Sequence, residues 1–222
     1  MKSKLYGIGV GPGDKELLTV KAVRAIENSD VVIAPSALEG GESIALETAK
    51  EYIKEGTEVV IKHFPMGKKN RVEKAKEAYE FIEEKLREGK NVSFLTIGDP
   101  YVYSTYIHML KHMEERGFYV ETVPGITSFC AAASLVDRTL VVGDNPLMIL
   151  PATRVKDIKD EKYVVIMKVY KHEETVVDFL EEKGFYYVYV SRAGREGQLI
   201  LTDKDEIKKA RDYMSLILAS RE

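Results

Sequence analysis

Cysteine is almost absent from the sequence, because Cys130 is the single thiol among 222 residues. One cysteine excludes an internal disulfide framework and a zinc cluster built from several cysteines. Tryptophan is missing and glutamine occurs once, at Gln198, whereas lysine and glutamate are abundant. This composition is more typical of proteins from thermophiles.

An excess of charge of one sign is also missing. The chain has 33 basic and 36 acidic residues and a formal net charge of −3. No overall field therefore attracts it to nucleic acid or to a membrane surface, and we expect neither as a partner. An anionic ligand would have to be bound by a local group of basic residues.

Long hydrophobic runs are the third absence. No apolar run approaches the roughly 18–20 residues that span a bilayer. The first ten residues, "MKSKLYGIGV", lack the apolar core of a signal peptide. We therefore expect a cytoplasmic protein.

Strand and helix patterns alternate through the first half of the chain. Strand-like segments are "KLYGIGV", "DVVIAP", "EVVIK" and the almost wholly apolar "NVSFLTIG". Helical patterns lie between them, and the helix after the first strand has Asp14 or Thr19 as its expected N-cap. This alternation predicts an N-terminal α/β domain with a parallel sheet over residues 1–116.

The pattern changes after Gly117, where strands outnumber helices. The strand-like segments are "FYVETVPG", "LMILPA", "YVVIMKV", "YYVYVS", "QLIL" and "SLILAS". More strands and fewer crossover helices predict a mixed sheet. We expect a second α/β domain over residues 117–222.

The loop "GIGVGPGD" follows the first predicted strand and is typical of a close approach between backbone and ligand. It does not match G-x-G-x-x-G, because the third glycine position holds Pro12 or Asp14, and the chain has no P-loop Gly-Lys-Ser/Thr. Asp14 would also place a negative charge where a phosphate needs a positive one. The loop is thus either a ligand-binding turn for something other than a phosphate or a plain strand-to-helix turn.

Two further loops favour a ligand site. Gly98-Asp99-Pro100 follows the fourth predicted strand, and Pro124-Gly125 follows the fifth. Ligands of open α/β sheets bind at the carboxyl ends of the strands, so the three loops can converge on one site. Asp99 has a second interpretation, as the N-cap of a helix with Pro100 at its first position.

Three other residues carry competing interpretations. His108 and His112 are spaced i, i+4 and could share a metal, but "HMLKH" lacks the glutamate of a zincin. A pair on a surface helix is therefore favoured, and we expect no metal site. Cys130 lies in an apolar helical pattern, which favours a buried structural thiol.

The three loop motifs together carry a resemblance to a known family. "GIGVGPGDKELLTVKAVRAI", "LTIGDPYVYSTY" and "VPGITSFCAAAS" resemble, in order and spacing, the tetrapyrrole methylases of the corrin and sirohaem pathways. Within the family, "LMILPAT" and "YMSLILAS" are also similar to enzymes that methylate C20 of precorrin-2 or its cobalt form. The resemblance implies two α/β domains with the active site in a cleft between them, S-adenosylmethionine as cofactor, and a homodimer.

The resemblance also implies site residues. Those matched to the cofactor-binding motifs are Pro12, Ile97, Gly98, Asp99, Val102, Thr127, Ser128, Met167 and Ala193. Residues expected at the substrate, precorrin-2 or cobalt-factor II, are Gly11, Tyr103, Lys68, Arg71 and Arg192. No residue is identified as a general base.

The substrate's carboxylates imply basic residues at the site. Further candidates are Lys69, Arg138, Arg154, Lys168 and Arg195, although at least half of all these cations should be ordinary solvated charges. Tyr101, Tyr103 and Tyr106 could stack on the macrocycle. For Tyr103 and Tyr106, three apart in a predicted helix, core packing is equally consistent with the sequence.

Three alternatives to C20 methylation remain at this point. Two are methyltransferases, one acting at another ring position of a tetrapyrrole and one acting in diphthamide synthesis. The third belongs to a different class, a nucleotide-binding α/β protein that uses the same loops. The missing P-loop lysine disfavours the third.

Overall fold

The computed structural model describes residues 3–36, 41–63 and 71–222, the side chains of residues 71–75 excepted. The chain divides into two α/β units, Met1–Thr127 and Ser128–Glu222. Within the described ranges no helix is long and apolar enough to cross a membrane.

The first unit contains a parallel sheet with the strand order β3-β2-β4-β1-β5 among its described residues. The strands are β1 (Leu5–Gly9), β2 (Val31–Ser36), β3 (Glu58–His63), β4 (Val92–Thr96) and β5 (Val120–Val123). The helices are α1 (Val20–Glu27), α2 (Ile44–Ala49), α3 (Arg71–Arg87) and α4 (Tyr106–Glu115). The predicted parallel α/β arrangement is confirmed.

Both faces of the central strands of this sheet are buried, which explains their continuous apolar runs. Val31 and Ile33 of β2 pack in one cluster with residues of α3 and α4. Val32 and Ala34 pack in another cluster with residues of α1 and α2. Because side chains alternate between the two faces of a strand, only an all-apolar run can fill both clusters.

Asp14 and Thr19 both cap helical segments, but different ones. Thr19 Oγ1 accepts the backbone N–H of Ala22 and caps α1. Asp14 Oδ1 accepts the N–H of Glu16 and caps a short 3-10 turn, Lys15–Leu17, that precedes α1. The two predicted caps therefore divide the segment after β1 into a 3-10 turn and the helix α1.

The second unit contains a mixed sheet with the order β6-β7-β10-β8-β9 in its described part. The strands are β6 (Leu147–Pro151), β7 (Tyr163–Met167), β8 (Tyr186–Ser191), β9 (Leu199–Leu201) and β10 (Ser215–Ser220). The helices are α5 (Ser128–Leu135), α6 (Glu173–Glu182) and α7 (Lys204–Lys209). β6 and β7 are parallel, whereas β10 is antiparallel to both β7 and β8, so the predicted mixed sheet is confirmed.

The division between the units lies later than the boundary expected between residues 116 and 117. That boundary precedes β5, and β5 pairs in parallel with β1, Leu5 opposite Val120 and Ile8 opposite Val123. A strand-like pattern does not reveal which sheet accepts the strand. The pairing with β1 keeps β5 in the first unit, and the structure divides the chain after Thr127.

Candidate functional site

The three loops identified in the sequence meet in the first unit through glycine backbone. A Cβ atom added at Gly9 would lie 2.5 Å from the nitrogen of Gly125 and 2.7 Å from the carbonyl oxygen of Gly98. A Cβ at Gly125 would overlap the same carbonyl. These distances are too short for any side chain, so Gly9 and Gly125 require glycine for close approach.

Backbone hydrogen bonds join the first loop to the second. The N–H of Gly98 donates to the carbonyl of Gly11 at 2.7 Å, and the N–H of Gly11 donates to the carbonyl of Gly98 at 3.3 Å. Both residues have positive φ, 76° and 69°, a conformation that glycine adopts without steric cost. The bridge lies beyond the ends of β1 and β4 and is antiparallel, whereas the two strands pair in parallel.

Asp99 joins the second loop to the third. Its Oδ1 accepts the N–H of Tyr101 at 2.8 Å, and its Oδ2 accepts the N–H of Gly125 at 3.1 Å. The interpretation of Asp99 as a helix N-cap is wrong, because α4 begins at Tyr106 with Thr105 before it. The half-buried carboxylate instead holds two loops in one arrangement.

The three tyrosines of the second loop have different environments. Tyr106 is fully buried, its hydroxyl lies 2.6 Å from Thr122 Oγ1, and burial raises its pKa to about 12. Its ring occupies the space that a side chain at Gly7 would need. Tyr106 is thus a core residue, as one of its two interpretations proposed. Tyr101 is exposed and donates its hydroxyl proton to Thr122 Oγ1.

Tyr103 is not helical, contrary to the prediction that it shares a helix face with Tyr106. It precedes α4, has a positive φ of 50°, and exposes 45% of its surface. A non-glycine residue in this region is strained, and such residues are concentrated at functional sites. Its proposed contact with substrate therefore remains a prediction with a geometric reason behind it.

The remaining motif residues of the first unit lie in or beside these loops. Pro12 is buried, and Ile97 and Val102 are half-buried. Thr127 ends the unit, and its buried Oγ1 has no hydrogen-bond partner in the described part of the chain. An unsatisfied buried hydroxyl is unfavourable by about 1–3 kcal/mol, so a polar ligand atom would stabilise this position.

The motif residues of the second unit lie at the start of one helix and at the ends of two strands. Ser128 begins α5, Met167 ends β7, and the buried Ala193 follows β8. Arg192 is exposed and donates from Nε to Asp212 Oδ2 at 2.6 Å. Of the candidates before α4, Lys68 and Lys69 lie outside the described residues. Arg71 begins α3, and its side chain is likewise not described.

Several other sequence candidates have structural roles. Arg138 donates to the carbonyl of Tyr186 at 2.5 Å and to Ser220 Oγ at 2.8 Å, so it stabilises the second unit rather than meeting a ligand. Arg154 pairs with Asp157 at the surface. Cys130 is exposed, so the expectation of a buried thiol is wrong.

The two histidines of α4 do not converge. His108 is exposed, whereas His112 Nε2 lies 2.9 Å from Glu83 Oε1 and its ring packs against Tyr79 at a tilt of 44°. In the described part of the chain, no group of three or more His, Cys, Asp or Glu residues could hold a metal ion. His112 belongs to a charge cluster between α3 and α4.

Comparison with solved structures defines the class of fold. The chain superposes on uroporphyrin-III C-methyltransferase from Thermus thermophilus, solved with S-adenosyl homocysteine, with a TM-score of 0.75 at 19% identity, covering 99% of this chain and 98% of that one. The fold is therefore that of a two-domain tetrapyrrole methyltransferase.

Sequence comparison defines the family. The model of the Tetrapyrrole (Corrin/Porphyrin) Methylases matches residues 4–207, and the chain belongs to this family. It is 38% identical to a probable cobalt-precorrin-2 C(20)-methyltransferase from Methanocaldococcus jannaschii, over 98% of this chain and 96% of that protein. It is 30% identical to the cobalt-precorrin-2 C(20)-methyltransferase of Salmonella typhimurium, over 100% and 98%.

Proposed function

We propose that the protein is an S-adenosylmethionine-dependent methyltransferase that methylates C20 of precorrin-2, or of its cobalt form cobalt-factor II, in cobalamin biosynthesis. The observation that carries the proposal is the glycine junction, where the three loops that resemble the family's motifs meet. Two relatives with the C20 name match essentially the whole chain, and both names specify the cobalt form.

The residues present fit the cofactor in the first unit. The junction of Gly9, Gly98 and Gly125 offers backbone instead of side chains, and the Thr127 hydroxyl lacks a partner among the described residues. Carbonyl dipoles at such turns suit a cationic sulfonium better than a phosphate. The other residues proposed to hold the cofactor are Pro12, Ile97, Asp99, Val102, Ser128, Met167 and Ala193.

The chemistry places modest demands on the chain. The cofactor supplies an electrophilic methyl group, and the protein has to align it with the acceptor carbon. Alignment of two reactants can contribute about 7–11 kcal/mol of rate enhancement. Asp99 serves alignment indirectly, since one of its hydrogen bonds closes the turn of the second loop and the other joins this loop to the third.

The first experiment measures affinity for S-adenosyl homocysteine by calorimetry. Asp99→Ala removes both acceptors and should abolish measurable binding, whereas Asp99→Asn keeps one acceptor and should bind more weakly than wild type. Asp203→Ala is the matched control, because Asp203 also accepts two backbone N–H groups, but at the start of α7. An Asp99→Ala variant with wild-type affinity would contradict the proposed cofactor site.

The second experiment identifies the reaction. The protein is incubated with labelled S-adenosylmethionine and either precorrin-2 or cobalt-factor II, and NMR locates the added methyl group. Label at C20 is expected. Label at another ring carbon would assign the chain to a different member of the family, and thermal stabilisation by ATP but not by S-adenosyl homocysteine would favour a nucleotide-binding protein.

We also propose that the protein is a homodimer, as the family resemblance implies. Light scattering should then give twice the 25.1 kDa mass of one chain. A monomer mass at micromolar concentration would refute this part of the proposal alone.

A further inference from the structure

Two strands of the second unit, β7 and β8, have their carboxyl ends at the same end of the mixed sheet. β7 and β8 are both antiparallel to β10, so they run in the same direction. Lys168 follows β7 and Arg192 follows β8, and both have positive φ, 58° and 49°. Positive φ is unfavourable for residues other than glycine, and it is found where contacts with the surrounding structure enforce it. Two basic residues with constrained backbone thus lie at this end of the sheet.

The loop after β8 is closed by its own hydrogen bonds. The N–H of Arg195 donates to the carbonyl of Arg192 at 2.9 Å, and the N–H of Gln198 donates to the carbonyl of Arg195 at 3.0 Å. Gln198 Oε1 accepts the N–H of Gly194 at 2.8 Å. At Gly197, with φ of 74°, a Cβ would lie 3.1 Å from Arg192 Nη1. The loop therefore holds both arginines in a preorganised arrangement.

Asp212 interacts with both arginines of this loop, whereas the loop's own acid, Glu196, is exposed. Asp212 uses both carboxylate oxygens, since Oδ2 accepts from Arg192 Nε at 2.6 Å and Oδ1 accepts the N–H of Met214 at 2.8 Å. Arg195 Nη1 is buried and has no hydrogen-bond partner in the part of the chain that the structure describes. Burial lowers the pKa of Arg195, the positive charge of Arg192 lowers it further, and Asp212 offsets part of this effect.

We propose that Arg195 binds a carboxylate group of the tetrapyrrole substrate, with Arg192 as the second positive charge of the same subsite; this inference rests on the proposed function. A carboxylate would accept the N–H of Arg195 that has no partner among the described residues, and would add a negative charge beside two guanidinium groups that share Asp212. Planar guanidinium groups match carboxylates better than ammonium groups do. Arg192 is already paired, so Arg195 makes the larger contribution.

Steady-state kinetics with precorrin-2 test the proposal. Arg195→Gln should raise KM about tenfold or more, the effect of losing one charged hydrogen bond, with kcat changed less than about twofold. Arg195→Lys should give an intermediate KM because it keeps the charge but not the fork. Arg24→Gln, which removes an exposed arginine from α1, is the control of equal charge change and should match wild type.

Equilibrium binding separates recognition of carboxylate from a structural role. Wild type should bind uroporphyrin more tightly than its methyl ester, and Arg195→Gln should lose most of this preference while it keeps wild-type affinity for S-adenosyl homocysteine and a wild-type melting temperature. An unchanged KM and preference in Arg195→Gln would overturn the inference. Parallel losses of cofactor affinity and melting temperature would also overturn it, because Arg195 would then be structural.

Failure of the proposed function would look different. Wild type would then bind neither S-adenosyl homocysteine nor any tetrapyrrole. This result would refute both the proposed function and the carboxylate subsite. If wild type methylates precorrin-2 but Arg195→Gln leaves KM and the preference for the free acid unchanged, only the carboxylate subsite is refuted.

Discussion

At the scale of single residues, the glycines of the three loops have different reasons to be glycine. Gly9 and Gly125 allow backbone segments distant in sequence to touch, whereas Gly11 and Gly98 adopt positive φ. Gly7 leaves room for the buried ring of Tyr106. The sequence predicted that these loops converge, but it did not distinguish these roles, because each depends on a neighbour from another segment.

Gly125→Ala is expected to damage the junction of the loops. The added Cβ would overlap the Gly98 carbonyl, and overpacking of this kind costs about 1–3 kcal/mol. Affinity for S-adenosyl homocysteine should fall with it, as calorimetry and urea unfolding can measure.

Gly89→Ala is the matched control for Gly125→Ala. Gly89 has a φ of 83° but open space around its Cα. Alanine there should cost about 1–2 kcal/mol of stability through backbone strain alone and leave cofactor affinity unchanged. Equal cofactor affinity in both variants would contradict the proposed role of the junction.

At the scale of elements, α3 and α4 are joined by a buried carboxylate. Glu83 of α3 is 6% exposed and lies within hydrogen-bond distance of Arg87, His112 and Arg116, at 2.6, 2.9 and 2.9 Å. Burial raises the pKa of Glu83, but the hydrogen bonds from His112 and Arg87 and the arginine charges outweigh it, so the pKa is lowered overall. The pair His108 and His112, noted in the sequence, is therefore divided between solvent and this cluster.

Glu83→Gln should destabilise the protein by about 2–3 kcal/mol at pH 7, since it leaves charged donors without a charged acceptor. A lowered folded pKa gives stability that is present above the unfolded value of about 4.3 and is lost as pH falls through the folded value. The difference between wild type and variant in urea unfolding should therefore shrink at about pH 3.5.

Glu80→Gln provides the comparison for Glu83→Gln on the same helix. Glu80 pairs with Lys76 at 3.6 Å on the exposed face of α3. An exposed pair of this kind contributes about 0.5 kcal/mol or less. A Glu80→Gln variant as unstable as Glu83→Gln would show that the cluster between α3 and α4 contributes no more to the free energy of unfolding than an exposed ion pair does.

At the scale of the whole molecule, cofactor binding should stabilise the native chain by mass action. S-adenosyl homocysteine at one hundred times its Kd should add about 2.7 kcal/mol and raise the melting temperature. ATP at the same concentration should leave it unchanged. Stabilisation should disappear in Asp99→Ala and persist in Arg195→Gln, which scanning calorimetry can follow.

The sequence by itself determined the alternation of strands and helices, the change from a parallel to a mixed sheet, the three loops and the family. These properties are readable because periodicity, turn chemistry and motif order are local. Only the tertiary structure decided that β5 pairs with β1, that Asp99 binds the backbone of Gly125, and that Tyr106 is core while Tyr103 is strained and exposed. It alone also decided that a nitrogen of Arg195 has no hydrogen-bond partner among the described residues. Each of these depends on contacts between segments far apart in the chain, which packing selects and a local pattern does not encode.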